Sequence, residues 1–125
     1  MYKRQITADI AARTIGARVH VPSVDPGRST DVEPFYGIKR IRRYPFEGSG
    51  LFVFDAGPFS AANPQGTPPP PVENLPPREG QDPHEYPRRT QIARDMKDQF
   101  LLPGGRLETD PCPGSPCYSN GYTGP

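Results

Sequence analysis

Proline constrains what this chain can fold into more than any other residue does. The sequence contains 19 prolines and 13 glycines in 125 residues, and a share of about a quarter is near the level typical of irregular chain. Proline has no backbone N–H to donate, so it is excluded from helix interiors and central strands. With 33% apolar residues and no tryptophan, the chain has too little apolar material for a large core. We therefore expect a small ordered nucleus and long irregular segments.

Composition divides the chain into four parts. Residues 6–62 carry most of the aromatic side chains and are predicted to form the ordered nucleus. Residues 63–87 hold nine prolines, four of them in a row, and are predicted to be an extended linker of polyproline II type. Residues 88–105 are predicted to form an amphipathic helix, and residues 106–125 an irregular tail.

The predicted nucleus combines a short helix with a β-hairpin. Residues 6–15 have helical apolar spacing, and a helix this short must pack on something or continue a longer one upstream. Two apolar runs, 35–46 and 51–54, flank the loop 47–50, whose two glycines suit a hairpin. The predicted fold class is thus a small α+β nucleus, followed by an extended proline-rich arm and a C-terminal amphipathic helix, and largely irregular.

The first apolar run departs from strand alternation. Ile38 and Ile41 differ in parity, so they would face opposite sides of a regular strand. Either a bulge or burial of both faces would accommodate them.

A second helix is predicted after the linker. Ile92, Met96 and Phe100 lie at i, i+4 and i+8 and form one apolar stripe. Thr90 suits the N-cap position, and Pro103 ends the helix.

The run Lys39, Arg40, Arg42 and Arg43 is the densest cluster of charge in the sequence. One interpretation is a charged edge strand that resists aggregation, and the other is a surface that contacts anionic groups. Nucleic-acid-binding domains usually carry a basic excess, whereas 15 basic and 14 acidic side chains give this chain a net charge of +1. Among binding functions, an acidic protein surface is therefore favoured over nucleic acid.

Catalytic signals are missing from the sequence. His20 and His84 are the two histidines, and neither has carboxylates or thiols at metal-ligand spacing. No glycine-rich loop has the spacing of a phosphate-binding motif. We therefore expect no enzymatic activity, no metal and no cofactor.

Cys112 and Cys117 are the two cysteines, and a gap of four residues separates them. Prolines and a Gly-Ser pair in this gap favour a local turn, so an intrachain disulfide is the simplest prediction. A disulfide favours an oxidising, extracytoplasmic compartment, although two free thiols in a reducing compartment are nearly as compatible.

The predicted function is that of a non-catalytic accessory or structural subunit. Its extended arm would become ordered by lying across other protein subunits or a second copy of the chain. No apolar run is long enough to span a membrane. The alternative is a truncated extracytoplasmic protein, membrane-anchored or pilin-like, that lacks an N-terminal helix. The residues predicted to contact a partner are aromatic, basic or on the helical stripe: Phe35, Tyr36, Lys39, Arg40, Arg42, Arg43, Phe52, Phe54, Ile92, Met96 and Phe100.

Overall fold

The computed structural model describes residues 6–25, 33–67, 78–80 and 83–125. About half of the proline-rich linker, including Pro68–Pro71, lies outside these residues. The elements are helix α1 (Ile6–Thr14), strands β1 (Arg18–Val19), β2 (Lys39–Arg40), β3 (Gly50–Leu51) and β4 (Phe54–Asp55), a 3-10 turn (Pro83–Glu85), helices α2 (Tyr86–Arg89) and α3 (Gln91–Leu101), and strand β5 (Cys117–Tyr118). Within the described ranges, no helix is long and apolar enough to cross a membrane.

Strand β1 is the centre of a three-stranded sheet with the order β2-β1-β3, and both pairings are parallel. Arg18 lies opposite Lys39 on one side and opposite Gly50 on the other. The predicted hairpin is therefore wrong. The two apolar runs that flank the glycine-containing loop each contribute a strand to β1, and they do not pair with each other.

Burial of apolar side chains explains this topology. After β2 the chain leaves the sheet, buries Ile41 and Phe46 in a core cluster, and returns on the far side of β1 as β3. Parallel pairing on both sides also makes β1 a central strand, and its Val19 is 1% exposed. A glycine-containing loop permits either connection, so long-range burial and not the loop decides the pairing.

The first core cluster joins α1 to the sheet. It contains Ala12, Ala17, Val19 and Ile38, with three partly buried side chains packed against it: Val21, Phe35 and Leu51. The predicted helix at 6–15 is present as α1, and its Arg13 Nε donates a hydrogen bond of 2.7 Å to the carbonyl oxygen of Tyr36. Helix α1 is thereby fixed to the turn that precedes β2.

The second core cluster joins α3 to the loop after β2. Ile41, Phe46, Met96 and Leu107 form its buried centre, and Tyr44, Phe52, Phe54, Ile92 and Phe100 pack around them. Ile38 and Ile41 enter different clusters, so burial on both sides accommodates their difference in parity. The predicted helical stripe is confirmed and faces this cluster.

The C-terminal tail is packed into the fold. Leu107 is 1% exposed, and its backbone exchanges hydrogen bonds of 2.8 and 3.0 Å with that of Phe46. A disulfide joins Cys112 to Cys117, with their Cα atoms 5.3 Å apart, which confirms the predicted bridge. Cys117 begins β5, which pairs in parallel with β4. The tail thus contributes a strand and a core side chain to the structure.

Candidate binding face

Five exposed cations lie around β1 and β2. We call Arg18, Lys39, Arg40, Arg42 and Arg43 the basic face. Arg18 and Lys39 are register partners, and burial of Ile38 and Ile41 leaves the cations beside them on the outside. In the part of the chain that the structure describes, none of the five forms an ion pair. Their charges are therefore available to an anionic partner.

Two surface depressions run along the basic face. One, of 710 Å³, is lined by Arg18, Lys39, Arg40 and Arg42. The second, of 500 Å³, shares Arg18 and Arg42 with the first and continues to Arg43. Glu47 and Arg106, which form an ion pair at 3.5 Å, also line the second depression. Because the two depressions share Arg18 and Arg42, they adjoin each other.

An apolar groove of 990 Å³ adjoins the basic face. Tyr36, which is 73% exposed, lies on its wall, so we call it the Tyr36 groove. Arg40 lines both this groove and the larger basic depression. The other side chains of the groove include the apolar Val21, Pro22, Val24, Pro34, Phe35 and Ile38, together with the polar Ser23 and Glu33. The surface is therefore largely apolar at one end and carries the five cations along the rest.

The structure separates the predicted contact residues into two groups. Tyr36, Lys39, Arg40, Arg42 and Arg43 are exposed on or beside the basic face, and Phe35 is half-buried at the groove. The remaining five side chains all belong to the second core cluster: Phe52, Phe54, Ile92, Met96 and Phe100. That the second group contacts a partner stays a prediction, because these side chains already pack against one another.

A buried histidine–aspartate pair connects the end of β1 to the tail. His20 is 2% exposed, and its Nε2 lies 3.0 Å from Oδ1 of Asp110. The same oxygen accepts a 3.0 Å hydrogen bond from the backbone N–H of Cys112. The ring of His20 stacks on Phe52 at 5.6 Å, and its Nδ1 has no hydrogen-bond partner among the described residues. Tyr44 lies near the Asp110 carboxylate. Burial is the largest cause that raises the pKa of Tyr44 to about 12, and the negative charge of Asp110 is the second.

A second polar contact holds the segment after β1 to the tail. Asp25 is buried, and its two carboxylate oxygens accept hydrogen bonds from the hydroxyls of Tyr118 and Tyr122, at 2.7 and 3.1 Å. The hydrogen bond to Asp25 is the largest cause that raises the pKa of Tyr118 to about 12. Local sequence patterns carry no signal for either contact, because the partners lie 90 or more residues apart.

Nδ1 of His20 is enclosed within the fold. No group of three or more potential metal ligands occurs in the described ranges. The exposed surface offers noncovalent contacts: its cations can bind carboxylates, and its groove can take an apolar side chain.

No protein-family model matches the chain, and no match was found among the curated proteins or the solved structures.

Proposed function

We propose that this chain is a non-catalytic accessory or structural protein that binds an acidic segment of another protein. The observation that carries this proposal is the basic face: five exposed cations without ion pairs, beside an apolar groove. A segment that combines carboxylates with one large apolar side chain complements both parts of the surface.

The charge distribution supports a protein partner over nucleic acid. Arg18, Lys39, Arg40, Arg42 and Arg43 lie together although the net charge of the whole chain is +1. Nucleic-acid-binding domains usually spread a basic excess more widely, because each neutralised phosphate adds to the affinity. A confined cluster matches a short acidic segment better than a long phosphate backbone.

The expected affinity is moderate and depends on salt. Exposed ion pairs contribute about 0–1 kcal/mol each, and screening is strong beyond about 10 Å at 0.1 M salt. Burial of an apolar side chain in the Tyr36 groove adds about 1.5–3 kcal/mol and is less sensitive to salt. Charge thus provides steering and selectivity, and the groove provides much of the affinity.

We further propose that the protein matures in an oxidising, extracytoplasmic compartment. The Cys112–Cys117 bond supports this location, since disulfides are rare in reducing compartments. The same bond is consistent with a second candidate function, that of an exported protein whose α1 continues a longer N-terminal helix. Ile10 and Ile15 on and just after α1 are 53% and 65% exposed, which leaves apolar surface for such packing. The intact mass of protein purified from its native source tests the location, because two alkylatable thiols would contradict it.

A binding titration tests the acidic-segment proposal. The probe is a fluorescent peptide of about ten residues, built from glutamate and aspartate around one leucine, which spans about 33 Å when fully extended. We expect binding at about 50 mM salt that weakens by about 200 mM, as attraction between exposed charges is screened. The Arg40→Glu/Arg42→Glu variant should bind at least about tenfold more weakly.

A matched variant controls for net charge. Arg94→Glu/Lys97→Glu changes the charge by the same amount on the exposed side of α3 and should bind like the parent. Equal losses in the two variants would contradict the proposal, because they would show an effect of net charge alone. Tighter binding of a single-stranded oligonucleotide of matched charge would contradict the choice of a protein partner.

A further inference from the structure

Strand β2 is an open edge of the sheet. It pairs with β1 on one side and with no other strand in the described ranges. The N–H of Ile41 donates to the carbonyl of Val19 at 2.9 Å, so it points toward β1. Because backbone groups alternate along a strand, the N–H and C=O of Arg40 point away from β1. Both residues of β2 are exposed.

The two edges of this sheet differ in charge. Lys39 and Arg40 form β2, whereas Gly50 and Leu51 form the opposite edge strand β3. If an extended chain that carries carboxylates pairs with β2, its carboxylates lie beside the positive charges of Lys39 and Arg40. The residues of β3 carry no charge. Directly opposed charges of unlike sign stabilise a strand pair by about 0.2–1 kcal/mol.

Self-pairing at β2 is disfavoured by the same residues. If a second copy added its own β2, Lys39 and Arg40 would meet Lys39 and Arg40 of the other chain, and like charges placed opposite each other destabilise a strand pair. The charged edge thus disfavours pairing with a second copy and favours pairing with an acidic strand. A charged edge strand that resists aggregation and a surface that contacts anionic groups are therefore compatible interpretations of the same basic run.

We infer that the acidic partner binds as an added strand along the outer edge of β2. Its backbone pairs with the N–H and C=O of Arg40, its carboxylates contact the basic face, and its apolar side chain enters the Tyr36 groove. Arg40 lines that groove, so a side chain close to the paired position reaches it. The inference rests on the proposed function and adds the backbone conformation of the partner.

Backbone methylation of the peptide tests this inference without a change of charge. The probe is the acidic peptide of the binding titration, prepared as a series in which one amide nitrogen at a time is methylated. Because the free backbone groups of β2 are confined to Arg40, one peptide N–H pairs with the Arg40 carbonyl, and methylation at that one position should weaken binding about tenfold. Methylation at the remaining positions should change the affinity less than about threefold, since no hydrogen bond is lost there.

The outcomes separate the inference from the proposed function. If every methylated peptide binds like the parent peptide while Arg40→Glu/Arg42→Glu loses binding, the added strand is excluded and the acidic-segment proposal stands. If all positions are equally sensitive, the partner does not pair in one register, and the inference fails. If the unmethylated peptide does not bind at low salt, both fail.

Discussion

Replacing Leu107 with alanine measures how far the C-terminal tail supports the core. The leucine is 1% exposed and lies in the second core cluster with Ile41, Phe46 and Met96. The substitution removes about three methylene equivalents at about 0.8 kcal/mol each, and the remaining cavity adds to this cost. We expect the free energy of unfolding to fall by about 3 kcal/mol, a large share of the total for a small domain.

Urea denaturation measured by circular dichroism is the assay, with the midpoint and slope fitted for each variant. Leu101→Ala is the matched control, because the same atoms are removed from a side chain that is 82% exposed. It should change the unfolding free energy by less than about 0.5 kcal/mol. Similar small losses in both variants would refute the reasoning, because they would show that the tail does not pack on the cluster in solution.

Two further predictions concern the disulfide and the hydroxyls of Tyr44 and Tyr118. Replacing Cys112 and Cys117 with serine should lower the unfolding free energy by about 2 kcal/mol through loop entropy. The loss is larger if the serine hydroxyl at the fully buried position 117 finds no hydrogen-bond partner. A urea midpoint equal to that of the parent protein would contradict this prediction. Folding raises the pKa of Tyr118 and Tyr44 from 10.0 to about 12, so the unfolded chain releases these protons first, and the stability is unaffected below pH 10 and falls as the pH rises toward 12. Thermal melts across this pH range should show a smaller decline for Tyr118→Phe than for the parent, and an unchanged decline would count against the hydrogen bond to Asp25.

Local patterns in the sequence predicted α1 and α3, whereas the 3-10 turn Pro83–Glu85 and the start of α2 (Tyr86–Arg89) lie in the segment predicted to be an extended linker. The spacing of Ile92, Met96 and Phe100 is a property of consecutive turns, and it identified both α3 and the face that it buries. At Thr90 the N-cap position was right, but the hydroxyl donates to the carbonyl of Pro87 at 3.2 Å and makes no cap hydrogen bond. The pairing of Cys112 with Cys117 was also within reach of local reasoning, since only four residues lie between them.

Long-range pairing was not accessible in the same way. Nothing in the runs that contain β2 and β3 shows that both prefer β1 as a partner, because two-residue strands carry almost no periodic signal. The same limitation applies to the binding face. The cations were visible in sequence, whereas the sequestration of Phe52 by α3 and His20 depends on contacts across the whole chain.

The two buried polar contacts explain how the tail bears on the proposed binding face. The segment between His20 and Asp25 supplies Val21, Pro22 and Val24 to the wall of the Tyr36 groove. Asp110 holds the first end of this segment, and Tyr118 holds the other. Because the disulfide closes the chain between these two tail residues, it fixes their separation and, with it, the span of the groove wall. The tail therefore supports the wall of the Tyr36 groove through Asp110 and Tyr118, whereas pairing with β1 positions the cations of β2.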